Sequence, residues 1–227
     1  MKTIIKAENI CKTFGSGDAE CKALDDISLE IKEGEFVSIV GRSGSGKTTF
    51  MHLCGGLDKP DSGKITVNGT VITDLNANKL ADFRCKNTGF VFQAFHLEPK
   101  YTVFDNISVP LLISNTPKKE IKEKVNSVLE QVGLTDKIKV KTAKLSGGEK
   151  QRIAIARAII NNSPIIFADE PCGNLDSTNS DIIMTMFEKL NSEGKTIILV
   201  THNMADAKRT KRIITFKDGK KIDDKTN

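Results

Sequence analysis

The chain has 227 residues, 38% hydrophobic and 28% charged, with a formal net charge of +5. That suffices for one large domain with a substantial core and room for an inserted lobe, and no apolar run approaches the roughly 18 to 20 residues of a membrane-spanning helix. The positive charges are mixed with acids, as in Lys118-Lys119-Glu120-Ile121-Lys122-Glu123-Lys124, and there is no Trp and a single Tyr, Tyr101; this fits a solvated surface and argues against a nucleic-acid groove built on a basic stripe or stacking aromatics.

The five cysteines, Cys11, Cys21, Cys54, Cys85 and Cys172, are odd in number and show no close metal or redox spacing. They read as free thiols in a reducing compartment. His52, His96 and His202 are isolated in sequence, so a metal site made of protein side chains alone is not expected. Met1 to Ile10 has basic residues but no apolar signal core. The expectation is a cytosolic protein that reaches a membrane only through a partner.

In chain order, Ile27, Leu29 and Ile31 alternate with polar residues, the period of a half-buried strand. Lys32-Glu33-Gly34-Glu35 is a turn, and Phe36-Val37-Ser38-Ile39-Val40 a short apolar strand entering a glycine-rich loop. After the turn Pro60-Asp61-Ser62-Gly63, Ile65-Thr66-Val67 is joined to Val71-Ile72 by Asn68-Gly69, a two-residue hairpin signal. From Pro117 to Val132, Ile121, Val125, Val128, Leu129 and Val132 share one helical face, and Gly133 stops it. Residues 93–162 read as a mainly helical lobe inserted into an α/β core. Pro164 to Ala168 is a buried-type strand, and a helix through Ile182, Ile183, Met186, Phe187 and Leu190 closes at Gly194. Thr196 to Val200 is a second buried strand, and Ile213 to Phe216 with Asp218-Gly219 a final hairpin.

The run Gly41-Arg42-Ser43-Gly44-Ser45-Gly46-Lys47-Thr48 fits G-x-x-x-x-G-K-[ST] between a strand and a helix. Glycines let the backbone wrap so that its N–H groups face phosphate oxygens, and the next helix adds its positive end. Lys47 would reach the β- and γ-phosphates and Thr48 would offer a hydroxyl to Mg²⁺. Gly41, Ser43, Gly44, Ser45, Gly46, Lys47, Thr48 and Thr49 are the phosphate-binding candidates. The loop marks a nucleotide site without naming a family.

Ile165-Ile166-Phe167-Ala168 ends in Asp169-Glu170. With this strand buried beside the phosphate loop, Asp169 would hold Mg²⁺ directly or through water. Glu170 would polarise the attacking water as general base. Carboxylates at a strand end are on their own equally consistent with solubilisation; the phosphate loop tips the reading towards catalysis.

The segment Leu145-Ser146-Gly147-Gly148-Glu149, continuing as KQRIAIARAI, resembles the signature of ABC ATPases. The phosphate loop, this run and the acidic strand follow that family's order across essentially the whole chain. The resemblance implies an α/β fold: a P-loop NTPase core with an N-terminal antiparallel β subdomain (1–92 and 163–227) and an inserted α-helical signature subdomain (93–162). It implies ATP and Mg²⁺ as cofactors and a homodimer in the ATP-bound state. Ser146, Gly147 and Gly148 of one copy would bind the γ-phosphate held by the other. It places Phe14 under the adenine ring, Gln93 on Mg²⁺ and the attacking water, His202 on the γ-phosphate, and Asn174-Leu175-Asp176 in the loop crossing the dimer interface, with Asp176 near the nucleotide.

Asp169-Glu170-Pro171-Cys172-Gly173-Asn174-Leu175-Asp176 is similar to the D-E-P-T-G-N-L-D pattern of macrolide exporters, lipoprotein-release ATPases, antimicrobial-peptide transporters and the cell-division ATPase, with Cys172 in the threonine position. Cys172 reads as a buried, inert thiol, and His52 and His96 as packing or surface residues. Glu98 stands where that subgroup usually has an apolar residue. The expected partner is an integral membrane permease docked at the cytoplasmic face, with no nucleic acid. Export, peptide resistance, lipoprotein release and a non-transporting mechanical role in cell division or stress sensing stay open. An ABC protein acting on DNA or ribosomes would bring a second cassette or a long heptad insertion, and the chain has neither.

Overall fold

The computed structural model describes residues 2–227. Two long strands, β1 (Thr3–Phe14) and β2 (Cys21–Lys32), pair antiparallel with Phe14 opposite Cys21. On β2 the expected alternation holds: Ile27, Leu29 and Ile31 are buried while Ser28 and Glu30 are exposed. β4 (Ser62–Val67) pairs with the other edge of β1, and β5 (Thr70–Val71) completes a four-stranded antiparallel sheet. Asn68 and Gly69 take left-handed φ values of 46° and 77°, as a tight hairpin turn of this type requires. The second arm is shorter than expected, because Ile72 leaves the sheet for a 3₁₀ turn that buries its side chain.

A six-stranded sheet has the order β10-β9-β3-β8-β7-β6. β3 (Phe36–Val40), β6 (Thr88–Phe92), β7 (Ile165–Asp169), β8 (Thr196–Val200) and β9 (Arg212–Lys217) run parallel, and β10 (Lys220–Thr226) is the antiparallel edge. Every residue of β3 and β8 is buried, the mark of parallel strands covered on both faces. The pleat splits the core in two. β7 sends Ile166 and Ala168 into a cluster with the helices α3 (Val103–Ile113), α4 (Lys118–Gln131), α5 (Gly147–Ile159) and α6 (Ser177–Ser192). Its Ile165 and Phe167 go into a second cluster with α1 (Lys47–Cys54), α2 (Ala77–Asn87) and the antiparallel sheet. A one-turn helix, α7 (Met204–Ala207), follows β8.

The acidic strand β7 is not the neighbour of β3, since β8 lies between them. In a parallel sheet the carboxyl ends of all three still open on one edge, so the loop after β3 and the acids after β7 share a rim. On α4, Ile121, Val125, Val128 and Leu129 are buried, and Gly133 ends the segment at φ 66°. Within residues 93–162, α5 lies directly on the sheet. A Cβ on Gly89 of β6 would overlap the carbonyl oxygen of Ala158, so the helix backbone approaches where only hydrogen fits. Gly89→Ala is therefore expected to cost about 1–3 kcal/mol through forced separation of α5 from β6, read as a lowered thermal midpoint. An unchanged midpoint would show that this contact is slack.

Candidate functional site

The turn after β3 is threaded between two other backbones. A Cβ on Gly41 would overlap the carbonyl oxygen of Phe216, and one on Gly46 that of Ala23. Gly46 is the N-cap of α1 at φ 95° and offers no side-chain cap, so the first N–H groups of α1 remain available to an anion. Lys47, only 7% exposed, donates from Nζ to the carbonyls of Gly41 and Arg42, both at 2.9 Å. Burial pulls its pKa down, while the nearby Glu170 and Asp169 carboxylates oppose that shift. Ser45 Oγ is buried without a hydrogen-bond partner.

Thr48 Oγ1 donates to Asp169 Oδ1 at 3.1 Å, joining the start of α1 to the end of β7. Burial raises the Asp169 pKa, against the Thr48 hydrogen bond and the nearby His52. Glu170 follows in the left-handed region at φ 46° while its N–H still bonds Val200 O at 2.9 Å. This turns the side chain out of the β ladder, an uncommon conformation for a glutamate and one found at functional sites. Glu170 Oε1 lies 2.8 Å from His202 Nδ1, and Thr201 Oγ1 donates to Oε2 at 3.4 Å.

A cleft of about 700 Å³ joins these parts, with Lys47, Thr48, Gln93, Glu170 and His202 on its wall and Cys21 of β2 facing them. Phe14, opposite Cys21 in the β1–β2 register, exposes 46% of its surface, and Lys12 Nζ stands 5.2 Å from its ring centroid. The signature residues are not on this wall. Ser146 caps α5, accepting from the Glu149 N–H at 3.2 Å, while Glu149 Oε2 accepts from the Ser146 N–H at 2.8 Å. Lys137 lies 3.6 Å from the same carboxylate. Ser146 and Gly147 are exposed, so the hydroxyl proton and the first N–H groups of α5 face solvent. Gly148 is buried against Asn179, whose side chain would overlap any Cβ there. Asp176 caps α6 through the Asn179 N–H at 2.8 Å.

Two further residues, and one pairing of Asn174, come into view only in three dimensions. Asn174 exchanges hydrogen bonds with Gln93. Gln151, fully buried on α5, donates to Pro171 O at 2.8 Å and Phe92 O at 3.4 Å. Arg157, also on α5, donates to the carbonyls of His96 and Phe95. Nothing in sequence separates Gln151 and Arg157 from ordinary helix polar residues. His52 and His96 pack edge-on to Phe92, with ring centroids 6.3 and 5.0 Å away. Cys172 is 8% exposed and burial pushes its thiol up to about 12, so it stays protonated and unreactive.

The donors around Thr48, Asp169 and Gln93 are oxygens, which suit a hard cation such as Mg²⁺ bound chiefly through phosphates and one or two protein groups. Among the described residues no cluster of three or more His, Cys, Asp or Glu forms a metal cage. No helix among them is long and apolar enough to cross a membrane.

The raised Asp169 pKa has a thermodynamic sign. The folded chain holds this proton more tightly than the unfolded chain. Stability is therefore lost as pH rises from the ordinary carboxylate value, about 3.9, through the raised one. Asp169→Asn is expected to raise the thermal midpoint at pH 7.5 in the absence of nucleotide, with the gain fading at acid pH below that range. Equal midpoints at pH 7.5 would refute the effect of burial.

A family model described as ABC transporter matches residues 24–173. The lipoprotein-releasing system ATP-binding protein LolD of Aquifex aeolicus is 45% identical over 98% of this chain and 97% of its own length. The macrolide export ATP-binding/permease protein MacB of Pasteurella multocida is 44% identical over 97% of this chain. The chain spans about a third of that protein, 34% of its length. A dimeric structure of a post-hydrolysis state of the ATP-binding cassette MJ0796, bound to ADP and Pi, superposes with a TM-score of 0.91 at 40% identity, over 98% of both chains. Together with a glycine loop, an acidic strand end and a serine-capped glycine helix in one molecule, these matches place the chain in the ABC transporter family, as an ATP-binding cassette.

Proposed function

We propose that two copies of the chain close on two ATP molecules, and that hydrolysis drives a separate integral membrane permease from the cytoplasmic face of the membrane. The observation that carries this reading is the separation of two half-sites. The cleft gathers Lys47, Thr48, Gln93, Glu170 and His202, while the Ser146–Gly147 tip is solvent-exposed and off its wall. A molecule that cannot bring its own anion-binding helix tip to its own nucleotide is completed by a twofold-related copy. MJ0796, at a TM-score of 0.91, is itself described as a dimer.

In this reading Phe14 stacks on adenine. The N–H groups of the loop from Gly41 to Thr49, including those of Ser43, Gly44, Ser45 and Gly46, take the phosphates. Lys47 Nζ moves from its two loop carbonyls to the β- and γ-oxygens. Thr48, Asp169 and the Gln93 amide hold Mg²⁺, which when bound neutralises charge building on the phosphates. Glu170 takes the proton of the attacking water as it adds to the γ-phosphorus and ADP leaves. His202, bonded through Nδ1 to Glu170, keeps its other ring nitrogen for the γ-phosphate. Ser146, Gly147 and Gly148 of the second copy add donors to the same oxygens, and Asp176 sits on the loop that crosses between copies.

The permease is placed on the face that carries the segment after Gln93. There α3 exposes Val109, Leu112 and Ile113, and an open groove of about 330 Å³ brings Pro110 of the same helix together with Phe92, His96 and Arg157. A single helix offering three large apolar side chains to water has the character of a docking surface. Exporters, peptide-resistance systems and lipoprotein-release systems form the class to which the complex is assigned.

Glu170→Gln, with the water-activating carboxylate gone, is expected to cut hydrolysis by about 10²–10⁴ and to accumulate an ATP-bound dimer. In light scattering, saturating ATP should double its mass from the monomer's 24.9 kDa, and Lys47→Ala in that background should abolish the doubling. A Glu170→Gln chain that stays monomeric with ATP and Mg²⁺ overturns the two-copy site.

A further inference from the structure

Gln93 and Asn174 form a reciprocal pair of amides. Gln93 Nε2 lies 3.1 Å from Asn174 Oδ1, and Asn174 Nδ2 lies 3.2 Å from the backbone oxygen of Gln93. The two ends of an amide have nearly the same shape, so their assignment rests on what each faces. Here the backbone decides. A peptide carbonyl only accepts, so Asn174 must turn its NH₂ towards Gln93 O. Its other end is then Oδ1, which also only accepts, so Gln93 must present Nε2 to it. The oxygen Oε1, the hard-cation end of the Gln93 side chain, is left for the cleft.

Two further observations bear on this pair. A Cβ on Gly173 would lie 2.8 Å from Gln93 Nε2 and 3.1 Å from Cδ, so a side chain before Asn174 would push the amide out of this position. Behind the pair, both donor protons of the buried Gln151 amide are used, one on Phe92 O and one on Pro171 O. These carbonyls belong to the residues flanking Gln93 and Glu170. The strand end that carries Gln93 and the connection that carries Asn174 are thus pinned at a fixed separation, the distance the amide pair spans.

We propose that Asn174 is a positioning residue that fixes the polarity of the Gln93 amide, so that Oε1 and not NH₂ faces the cation of the nucleotide cleft. The assignment rests on the reading of Gln93 as a cation ligand. It also makes the presentation of that ligand depend on the connection between β7 and α6, the segment assigned to the interface between two copies. Movement of that connection on closure moves the group that orients Gln93.

The test is a double-mutant cycle read as metal affinity. In the Glu170→Gln background with saturating ATP, Mn²⁺ is titrated against the full chain and free Mn²⁺ is followed by electron paramagnetic resonance. Gln93→Ala, Asn174→Ala and the double variant are compared, with thermal midpoints measured alongside. Asn174→Ala is expected to weaken Mn²⁺ binding about tenfold, the low end of what loss of an outer-shell partner costs. It should cost nothing further once Gln93 is alanine. Gly173→Ala, which keeps Asn174 but crowds the pair, should reproduce the loss. A purely structural role would lower the midpoint and add its effect in full to that of Gln93→Ala, which overturns the proposal. So does unaltered Mn²⁺ affinity in Asn174→Ala when Gln93→Ala is weakened. If Gln93→Ala itself binds Mn²⁺ normally, the ligand reading of Gln93 fails, and the role of Asn174 fails with it.

Discussion

A buried ammonium group is the constraint around which the nucleotide cleft is organised. Lys47 is 7% exposed and its Nζ is held by two loop carbonyls. Taking a cation out of water is costly unless polar groups replace its hydration. The Gly41–Gly46 loop does this by turning carbonyls inwards at one end while leaving N–H groups open at the other. That curvature requires the loop to pass against Phe216 and Ala23 so closely that two of its glycines admit no side chain. The parallel sheet then supplies what the loop cannot, a fixed rim where Asp169 and Glu170 face the lysine across β8. With two carboxylates on the same rim as one shielded ammonium, a triphosphate with its cation meets both signs of charge without either having to be built on binding.

The second organising feature is the way α5 is tied to the hydrolytic strand ends. Its first turn presents the serine-glycine tip, and Gln151 one turn later holds Phe92 and Pro171, the residues flanking Gln93 and Glu170. Further along, Arg157 holds Phe95 and His96, which stand in the left-handed region at φ 59° and 49°. Two consecutive non-glycine residues in that conformation persist because one half-buried guanidinium fixes both carbonyls. One rigid helix thus grips the Gln93 segment on either side, while its own tip is exposed to solvent. In the proposed dimer, a load on the exposed face of α3 and a phosphate at the tip of α5 would act on the same body.

Much of this was legible in the residues, because periodicity and glycine chemistry are local. The alternation at Ile27–Ile31, the mostly apolar runs of β3 and β8, the face of α4 and the turns at Asn68-Gly69 and Asp218-Gly219 each follow from a side-chain period or from a φ that glycine, asparagine and aspartate adopt most readily. Less local elements were harder to read. β1 is a continuous strand from Thr3 to Phe14 interrupted by register shifts, and those irregularities break its alternation. α2 carries only Leu80 and Phe83 as buried residues, too few for an apolar stripe. The order of β8 between β3 and β7, and the meeting of Gln93 with Asn174 across 81 positions, belong to topology, on which a one-dimensional pattern is silent.

Glu170 shows why the parts of such a site are not free to be optimised one at a time. Its left-handed φ is a conformational cost of order 1–3 kcal/mol for a residue with a side chain. In an extended conformation it would continue the alternation of β7, whose preceding residues are buried between the two core clusters or, at Asp169, lie at the strand's end. The kink instead lifts the carboxylate to His202 and Thr201 at the end of β8. It also starts the tight connection in which Gly173 N–H returns to Glu170 O at 3.0 Å. That connection carries Asn174 to Gln93 and Asp176 to the cap of α6. A relaxed backbone at residue 170 would therefore cost more than the position of one base. It would release the amide pair of Gln93 and Asn174 and the start of the helix against which Gly148 is packed, so the strain held at one residue is what keeps the cleft and the tip of α5 in register within a single chain.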